Sequence, residues 1–286
     1  MAVLPHAGLP PHAGLPPPAG VDDLVLVRGG GDLGTGVAYA LHQAGRRVLV
    51  LDRPQPTALR LTVSFAAAAL GEPVEVEGVR AAHCSRADDL VATWEAGAVP
   101  VWTAGEASLS LRPGVVVDAR MRSLEEPATA IDDAPIVIGI GPGFEAGVDC
   151  HYLIESNRGP RLGAVIRAGR AERYTGVPGA VCGRGAERLL RAPRAGAFAR
   201  RLELGAFVEP GDVVGEVDGE PVVARLAGMV RGLKLTGVVV GAGHKVGDVD
   251  PRRDLALLRR MTDKARAVGL GVLDALEQAR RGRRAG

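Results

Sequence analysis

The spacing Gly29-x-Gly31-x-x-Gly34 follows the apolar run Leu24-Val-Leu-Val27, has Asp32 inside it and opens a stretch of helical periodicity. Glycines at those intervals let a chain turn tightly and bring phosphate oxygens against the N–H groups of a helix start, where the helix dipole also favours negative charge. Asp52 lies about twenty residues on, at the end of the next apolar run, where an acid can hold a ribose hydroxyl pair. The chemistry implied is binding of a nucleotide or dinucleotide, and Arg53 directly after Asp52 leaves NADP as open as NAD. A glycine turn that closes the same unit without a ligand is the competing reading.

A second glycine loop, Gly139-Ile-Gly141-Pro-Gly143, also follows an apolar run. It is a second candidate cradle for phosphate or carboxylate, although Pro142 removes one donor and a ligand-free turn serves equally well. His151 and Glu155 are four apart; on a strand they share a face but lie roughly 13 Å apart at about 3.3 Å per residue, too far to hold one metal. They are read as polar residues lining the pocket, and no metal site is expected. Asn157 and Arg158 offer an amide and a guanidinium fork for an anion, or a salt bridge within a loop. Cys84, Cys150 and Cys182 are widely spaced with no C-x-x-C pair, which suits a reducing compartment and argues against zinc or iron–sulfur ligation. There is no G-x-S-x-G elbow and no assignable set of Ser, His and acid, so the catalytic residues are unknown and enzymatic activity is an open question.

The elements that must position these residues follow from periodicity. Leu24–Val27 and Val48–Leu51 are continuous apolar runs, and Val37, Ala38, Leu41 and Ala44 make one helical stripe between them, stopped by Gly45. That is a βαβ unit, which requires parallel pairing and a right-handed crossover. The alternation continues with a helix over Ala58–Leu70, a strand over Val74–Val79 and a helix over Ala87–Ala96. Strands are expected over Ala98–Trp102, Val115–Asp118, Ile136–Ile138 and Cys150–Glu155. From Leu189 to Asp250 short β-rich pieces are punctuated by glycine, and two halves echo each other, suggesting two interlocking hairpins. Asp254–Ala265 and Leu270–Arg281 read as helices. The expected organisation is a Pro-rich disordered and dispensable tail at 1–20, a Rossmann-like α/β domain at 21–187, a β module at 188–250 and a helical segment at 251–286.

Thirty-five basic against thirty-three acidic residues leave a net charge of +2, and aromatic residues are only 3%, so a nucleic-acid partner is not expected. From Val21 onward no uncharged apolar stretch approaches the ~18 residues of a membrane helix. The first twenty residues carry six prolines and lack the basic start of a signal peptide, so the expectation is a cytoplasmic protein without a membrane partner.

Five segments carry a resemblance. Val27-Arg-Gly-Gly-Gly-Asp-Leu-Gly-Thr-Gly-Val37, Leu51-Asp-Arg-Pro-Gln-Pro-Thr57, Ile131-Asp-Asp-Ala-Pro-Ile-Val-Ile-Gly-Ile-Gly-Pro-Gly-Phe144, Ile154-Glu-Ser-Asn-Arg-Gly159 and Thr175-Gly-Val-Pro-Gly179 are similar to the selenium-dependent molybdenum hydroxylase system proteins, over about residues 22–276. The resemblance implies an accessory or maturation factor whose partner is a molybdenum hydroxylase or its maturation machinery. It also implies a molybdopterin dinucleotide as a ligand suited to the first loop. Where that family usually continues Asn-Arg-Gly with His, this chain has Pro160; a Lys common after the Asp118 strand is replaced by Arg120 and Arg122 nearby. A direct acid–base or metal role at those positions is thereby weakened. The β module separately resembles the barrel-sandwich hybrid of biotinyl and lipoyl carriers, but the matching hairpin tip is Asp218-Gly-Glu-Pro221. With no lysine there, neither biotin nor lipoate is expected, and the module reads as a docking platform, a spacer or a structural cap. The fold expectation is α/β: a Rossmann-like parallel-sheet domain, a small all-β barrel-sandwich hybrid module and C-terminal helices. A homo-oligomer is left open, and the alternative function is an NAD(P)-dependent oxidoreductase.

Overall fold

The computed structural model describes residues 24–121, 129–173 and 178–284. The Pro-rich tail, Arg122 and most of the Thr175–Gly179 motif lie outside the described residues.

The chain is α/β, built on a mainly parallel nine-stranded sheet. Leu24–Arg28 (β1) leads through the helix Asp32–Gln43 (α1) into Arg47–Leu51 (β2), paired in parallel from Leu24↔Arg47 to Arg28↔Leu51. Val74–Val76 (β3) and Val79–Cys84 (β4) form a hairpin, followed by helix Ala87–Glu95 (α2) and Val99–Trp102 (β5). Val115–Asp118 (β6), Ile136–Ile140 (β7), Glu145–Ala146 (β8), Tyr152–Ile154 (β9), Val165–Ile166 (β10) and Gly169–Arg170 (β11) complete this half. The sheet order is β10-β9-β7-β6-β1-β2-β5-β4-β3, antiparallel only at its two edges, while β8 and β11 pair separately. The chain first builds outward from β1 on the β2 side and then crosses to place β6 on the other flank of β1.

The central strands are continuous apolar runs because both sheet faces are covered. Val25, Val27, Val48 and Val50 pack with Val37 and Leu41 of α1 and with Val268 and Val272 of a long C-terminal helix, whereas Leu24, Leu26, Leu49 and Leu51 pack with Leu90, Trp102 and Leu153. That C-terminal helix, Asp263–Arg284 (α3), is one element where two shorter helices were expected. It runs on through Gly269 because a side chain there would meet the Gly36 carbonyl and Ala40 of α1; the missing Cβ allows the close approach. The region before it, Leu255–Leu258, is only a 3-10 turn.

Two other expectations change locally. Ala58–Leu70 is not an α-helix but two 3-10 turns, Leu61–Val63 and Phe65–Leu70, separated by the extended and buried Ser64. Its backbone bonds elsewhere: the Phe65 N–H donates to Thr35 Oγ1 at 2.9 Å and the Ala66 N–H to the Gly30 carbonyl at 2.9 Å. Val74–Val79 is a hairpin rather than one strand, because Glu77 and Gly78 both take positive φ, at 51° and 85°.

Between Leu189 and Asp250 the described chain forms two four-stranded antiparallel sheets. They are Leu189–Arg191 (β12), Gly196–Arg200 (β13), Phe207–Val208 (β14), Val213–Val217 (β15), Glu220–Val223 (β16), Gly228–Leu233 (β17), Val239–Val240 (β18) and Lys245–Asp250 (β19), in the orders β12-β19-β17-β14 and β16-β15-β13-β18. Phe198, Val214, Val217, Val230, Leu233 and Val249 close a shared core between them. The β15–β16 turn falls on Asp218 and Gly219, both at positive φ, and the Asp218 carboxylate accepts the Ala197 N–H at 3.1 Å. Among the described residues no helix is long and apolar enough to cross a membrane.

Candidate functional site

The strand order reverses at β1, and in an open parallel sheet that is where a crevice opens beyond the carboxyl ends of the strands. A cleft of about 720 Å³ occupies this position, lined from the loops after β1, β2, β5 and β6.

Each glycine of the first loop has a separate task. Gly29 has φ +94° and donates its N–H to the Leu51 carbonyl at 2.8 Å, turning the chain off β1. A Cβ on Gly30 would lie 2.9 Å from the Ala66 nitrogen and from Val50, and one on Gly34 would run into the Gly29 carbonyl oxygen, so Gly34 sets how closely α1 approaches β1. Gly31 differs: its φ is −68°, and a Cβ would meet nothing nearer than Ala58 at 3.8 Å, on the cleft side. Thr35 Oγ1 donates to the Gly30 carbonyl at 2.9 Å and fixes the turn from below.

Asp52 braces this loop from β2. Its Oδ2 accepts the Gly30 N–H at 2.6 Å and its Oδ1 the Arg53 N–H at 2.7 Å. Burial pushes its carboxyl above the usual range, against the pull of those two N–H groups and of the Arg53 charge. Asp32, in the first turn of α1, pairs with Arg60 Nη1 at 3.1 Å, while Arg60 Nη2 donates to the carbonyls of Leu257 and Arg260. Arg60 thus ties the start of α1 to the segment that precedes α3.

The floor on the β6 side is a charged network that local spacing did not reveal. Arg28, the one charge ending the apolar run of β1, donates to Glu106 from Nε and Nη2 at 2.8 and 2.6 Å, and from Nη1 to Asp133 at 2.6 Å and Thr129 at 2.7 Å. Burial works against its charge, but the bonds to Glu106 and Asp133 outweigh it and hold the guanidinium above its ordinary range. Asp118, in register with Arg28 across the β1–β6 pair, is fully buried. Burial raises its carboxyl, yet Arg120 Nη2 at 2.5 Å and the Thr129 hydroxyl at 2.6 Å hold it below the usual range. Thr129 therefore joins the two ion pairs. The sequence signals were a lone Arg at the end of β1 and a lone Asp at the end of β6, but the partners lie 78 and 105 residues from Arg28.

The remaining candidates sit outside this cleft. Gly139 makes room for the Phe144 ring, 2.7 Å from where its Cβ would be; Gly141 has φ +71° and donates to the Ile154 carbonyl at 2.8 Å; Gly143 has φ +103°. Met121 is the bridge to the cleft, lining it while its sulfur lies 3.3 Å from the position of a Gly141 Cβ. His151 Nδ1 accepts the Val137 N–H at 3.0 Å. Glu155, almost wholly buried, accepts the N–H groups of Asn157 and Glu172 at 2.6 and 2.8 Å. Asn157 donates to Glu172 at 2.9 Å, and Arg158 grips Asp263 of α3 with two bonds of 2.6 and 2.9 Å. His151 thus ties its loop to β7, Glu155 ties the loops after β9 and β11 together, and Arg158 joins the β9 loop to α3.

No protein-family profile matches the chain. It is homologous to the uncharacterized protein YqeB of Escherichia coli K12, 44% identical over 255 residues, 88% of this chain. The chain spans about half that relative's length, 47%. Among solved structures, a succinylglutamate desuccinylase/aspartoacylase from Rhodobacter sphaeroides aligns at 30% identity over 23% of this chain and 22% of its own, with a TM-score of 0.20. An aspartoacylase family protein from Mesorhizobium loti aligns at 13% identity over 79% of this chain and 84% of its own, with a TM-score of 0.25. Overlaps at those TM-scores carry no argument about chemistry.

Proposed function

We propose that this chain is a cytoplasmic accessory or maturation factor for molybdenum hydroxylases, and that it binds a nucleotide or dinucleotide in the cleft beyond β1. The observation that carries the binding half is the opening at Gly31: the one position of the first loop where neither chain packing nor positive φ demands glycine faces the cleft. The start of α1 presents N–H groups without intrahelical acceptors beside it, which suits phosphate oxygens. The link to molybdenum and selenium-dependent hydroxylases rests on the motif resemblance alone.

In this reading the α/β part is Rossmann-like. The residues of the chain bind and orient: Gly31 admits the phosphate, Asp52 and Thr35 hold the loop rigid, and the Arg28 network shapes the far wall. The β part is a barrel-sandwich hybrid that serves as an unacylated platform toward the hydroxylase or its assembly machinery, its tip being Asp218-Gly-Glu-Pro221.

A thermal-shift panel of NAD, NADP, ATP, CTP and molybdopterin cytosine dinucleotide tests the binding. A ligand present at a hundredfold its dissociation constant stabilises by about 2.7 kcal/mol, a readily measured rise in Tm. Absence of any shift would remove the proposed site. Deleting the gene from a host that makes a molybdenum hydroxylase tests the process: the hydroxylase should accumulate with its molybdenum cofactor incomplete, and normal cofactor content would sink the assignment.

A further inference from the structure

Arg28 carries more acid than its single charge requires. Its Nη1 donates to Asp133 at 2.6 Å and to Thr129 at 2.7 Å, and Asp133 is itself fixed by the Ala130 N–H at 3.2 Å. Among the described residues the other edge of the guanidinium, Nε and Nη2, is bonded to Glu106, at 2.8 and 2.6 Å. Asp118 is paired with Arg120, so two carboxylates, Asp133 and Glu106, share the one charge of Arg28. The guanidinium side is nine-tenths buried, the Asp133 side chain is 26% exposed and that of Glu106 41%, which makes Glu106 the carboxylate that water can take over.

Glu106 also reaches Arg28 from across the cleft. Strands β1 and β5 flank β2, two strand spacings or about 10 Å apart, and both residues line the cleft. Glu106 opens a short 3-10 turn, Glu106–Ser108, whose backbone is pinned from below. Trp102 Nε1 donates to the Gly105 carbonyl at 3.0 Å and to Ser108 Oγ at 3.1 Å, and Ser108 Oγ donates to the Gly105 carbonyl at 2.7 Å. Release of Glu106 from Arg28 therefore needs a change of side-chain rotamer and no movement of the turn.

We propose that Glu106 is a place-holder for an acidic group of the ligand: when Glu106 swings into water, the Nε–Nη2 edge of Arg28 grips a carboxylate or phosphate through two parallel hydrogen bonds. The planar fork of a guanidinium fits the paired oxygens of either group. Arg28 is never left buried and unpaired during the exchange, because Asp133 and Thr129 stay on Nη1. One bidentate anion replaces another, so the wall keeps its charge while the exposed carboxylate regains its hydration. Glu106 thereby holds down the affinity of the cleft for acids and selects ligands that bring one. This goes beyond the nucleotide reading, adding a second acidic group at the end of the ligand remote from Gly31, and the fork itself does not depend on that reading.

Calorimetric titration of the full chain with inorganic phosphate and with malonate tests the exchange, the two probes separating a phosphate from a carboxylate. Glu106→Gln removes the competing charge and is expected to tighten one probe about tenfold, equivalent to about 1.4 kcal/mol; the probe that gains more names the group. Adding Arg28→Lys should abolish the gain, since lysine keeps the charge without the fork. A second measurement covers the case in which that double variant does not fold: in the Glu106→Gln chain the Arg28 Nε–H proton resonance should shift as the favoured probe is added. Unchanged or undetectable binding of both probes by Glu106→Gln would overturn the proposal and make the pair a structural brace. A gain that survives Arg28→Lys, or that leaves the Arg28 resonance unmoved, would overturn it too, by placing the anion elsewhere. Nucleotide binding without the gain strikes the fork alone; the gain with a blank thermal-shift panel strikes the nucleotide reading and leaves the fork standing.

Discussion

The two glycine loops follow buried parallel strands separated only by β6, and on paper they look alike. Their glycines answer to different demands. In the first loop Gly34 and Gly30 are filled against by the chain itself, but Gly31 faces open space in the cleft and a helix starts directly after it. In the second, Gly139 is matched to Phe144, Gly141 to Ser156 and Met121, and no helix follows before β9. A glycine thus signals ligand access only where the space its Cβ would fill remains vacant and a helix start supplies donors; elsewhere it signals internal packing or a left-handed turn.

Substitutions at these positions can break the comparison. The largest effect is expected at Gly34→Ala, which drives a methyl into the Gly29 carbonyl; urea unfolding should show a loss of about 4 kcal/mol, at the severe end of single substitutions. A loss under 1 kcal/mol would mean that α1 can retreat from β1.

Next comes Asp118→Asn, on the strand between the loops, which leaves Arg120 without its buried carboxylate and should cost about 2–3 kcal/mol at neutral pH. The wild-type carboxyl is held below its ordinary value, so its contribution is fully present above the unfolded pKa of about 3.9 and is lost as pH falls through the lower folded value. The variant should therefore show a flatter decline of stability on the acid side, and an unchanged slope would assign the acid sensitivity to other groups.

Gly139→Ala crowds Phe144 and should cost about 1–2 kcal/mol with nucleotide affinity unaltered. A large drop in affinity would make the second loop part of the binding site after all. The smallest effect on stability belongs to Gly31→Val: about 1 kcal/mol or less from a poorer helix cap, while binding is abolished because the side chain occupies the phosphate position. A variant that still binds nucleotide as the wild type does would reduce the first loop to a turn.

Local features were legible where the chain's own neighbours decide them. The βαβ unit from Leu24 to Leu51, the strands expected over Ala98–Trp102 and Val115–Asp118, and helix α2 all follow from apolar periodicity within a short window. Asp52 was legible as the acid at the end of β2; that each of its oxygens accepts a backbone N–H of the loops around it was not. Ala58–Leu70 has helical composition, yet its backbone donors go to Thr35 and Gly30, contacts that exist only once α1 is in place. Gly269 falls between the two helices expected over Asp254–Ala265 and Leu270–Arg281 and is instead the contact point of α3 on α1.

By itself, then, the sequence determined the alternation of strands and helices, the position and tight turn of the first loop, and the change of texture at Leu189, because each is written in spacings of two to four residues and in glycine's backbone freedom. Tertiary structure alone decided which glycines face a cleft, that Arg28, Glu106, Thr129, Asp118 and Asp133 form one network, and that Lys234 reaches Thr57 across 177 residues. The physical reason is that burial and ion pairing are properties of whatever comes to lie alongside a residue in space, and a strand inserted at the middle of a sheet acquires its neighbours from both ends of the chain.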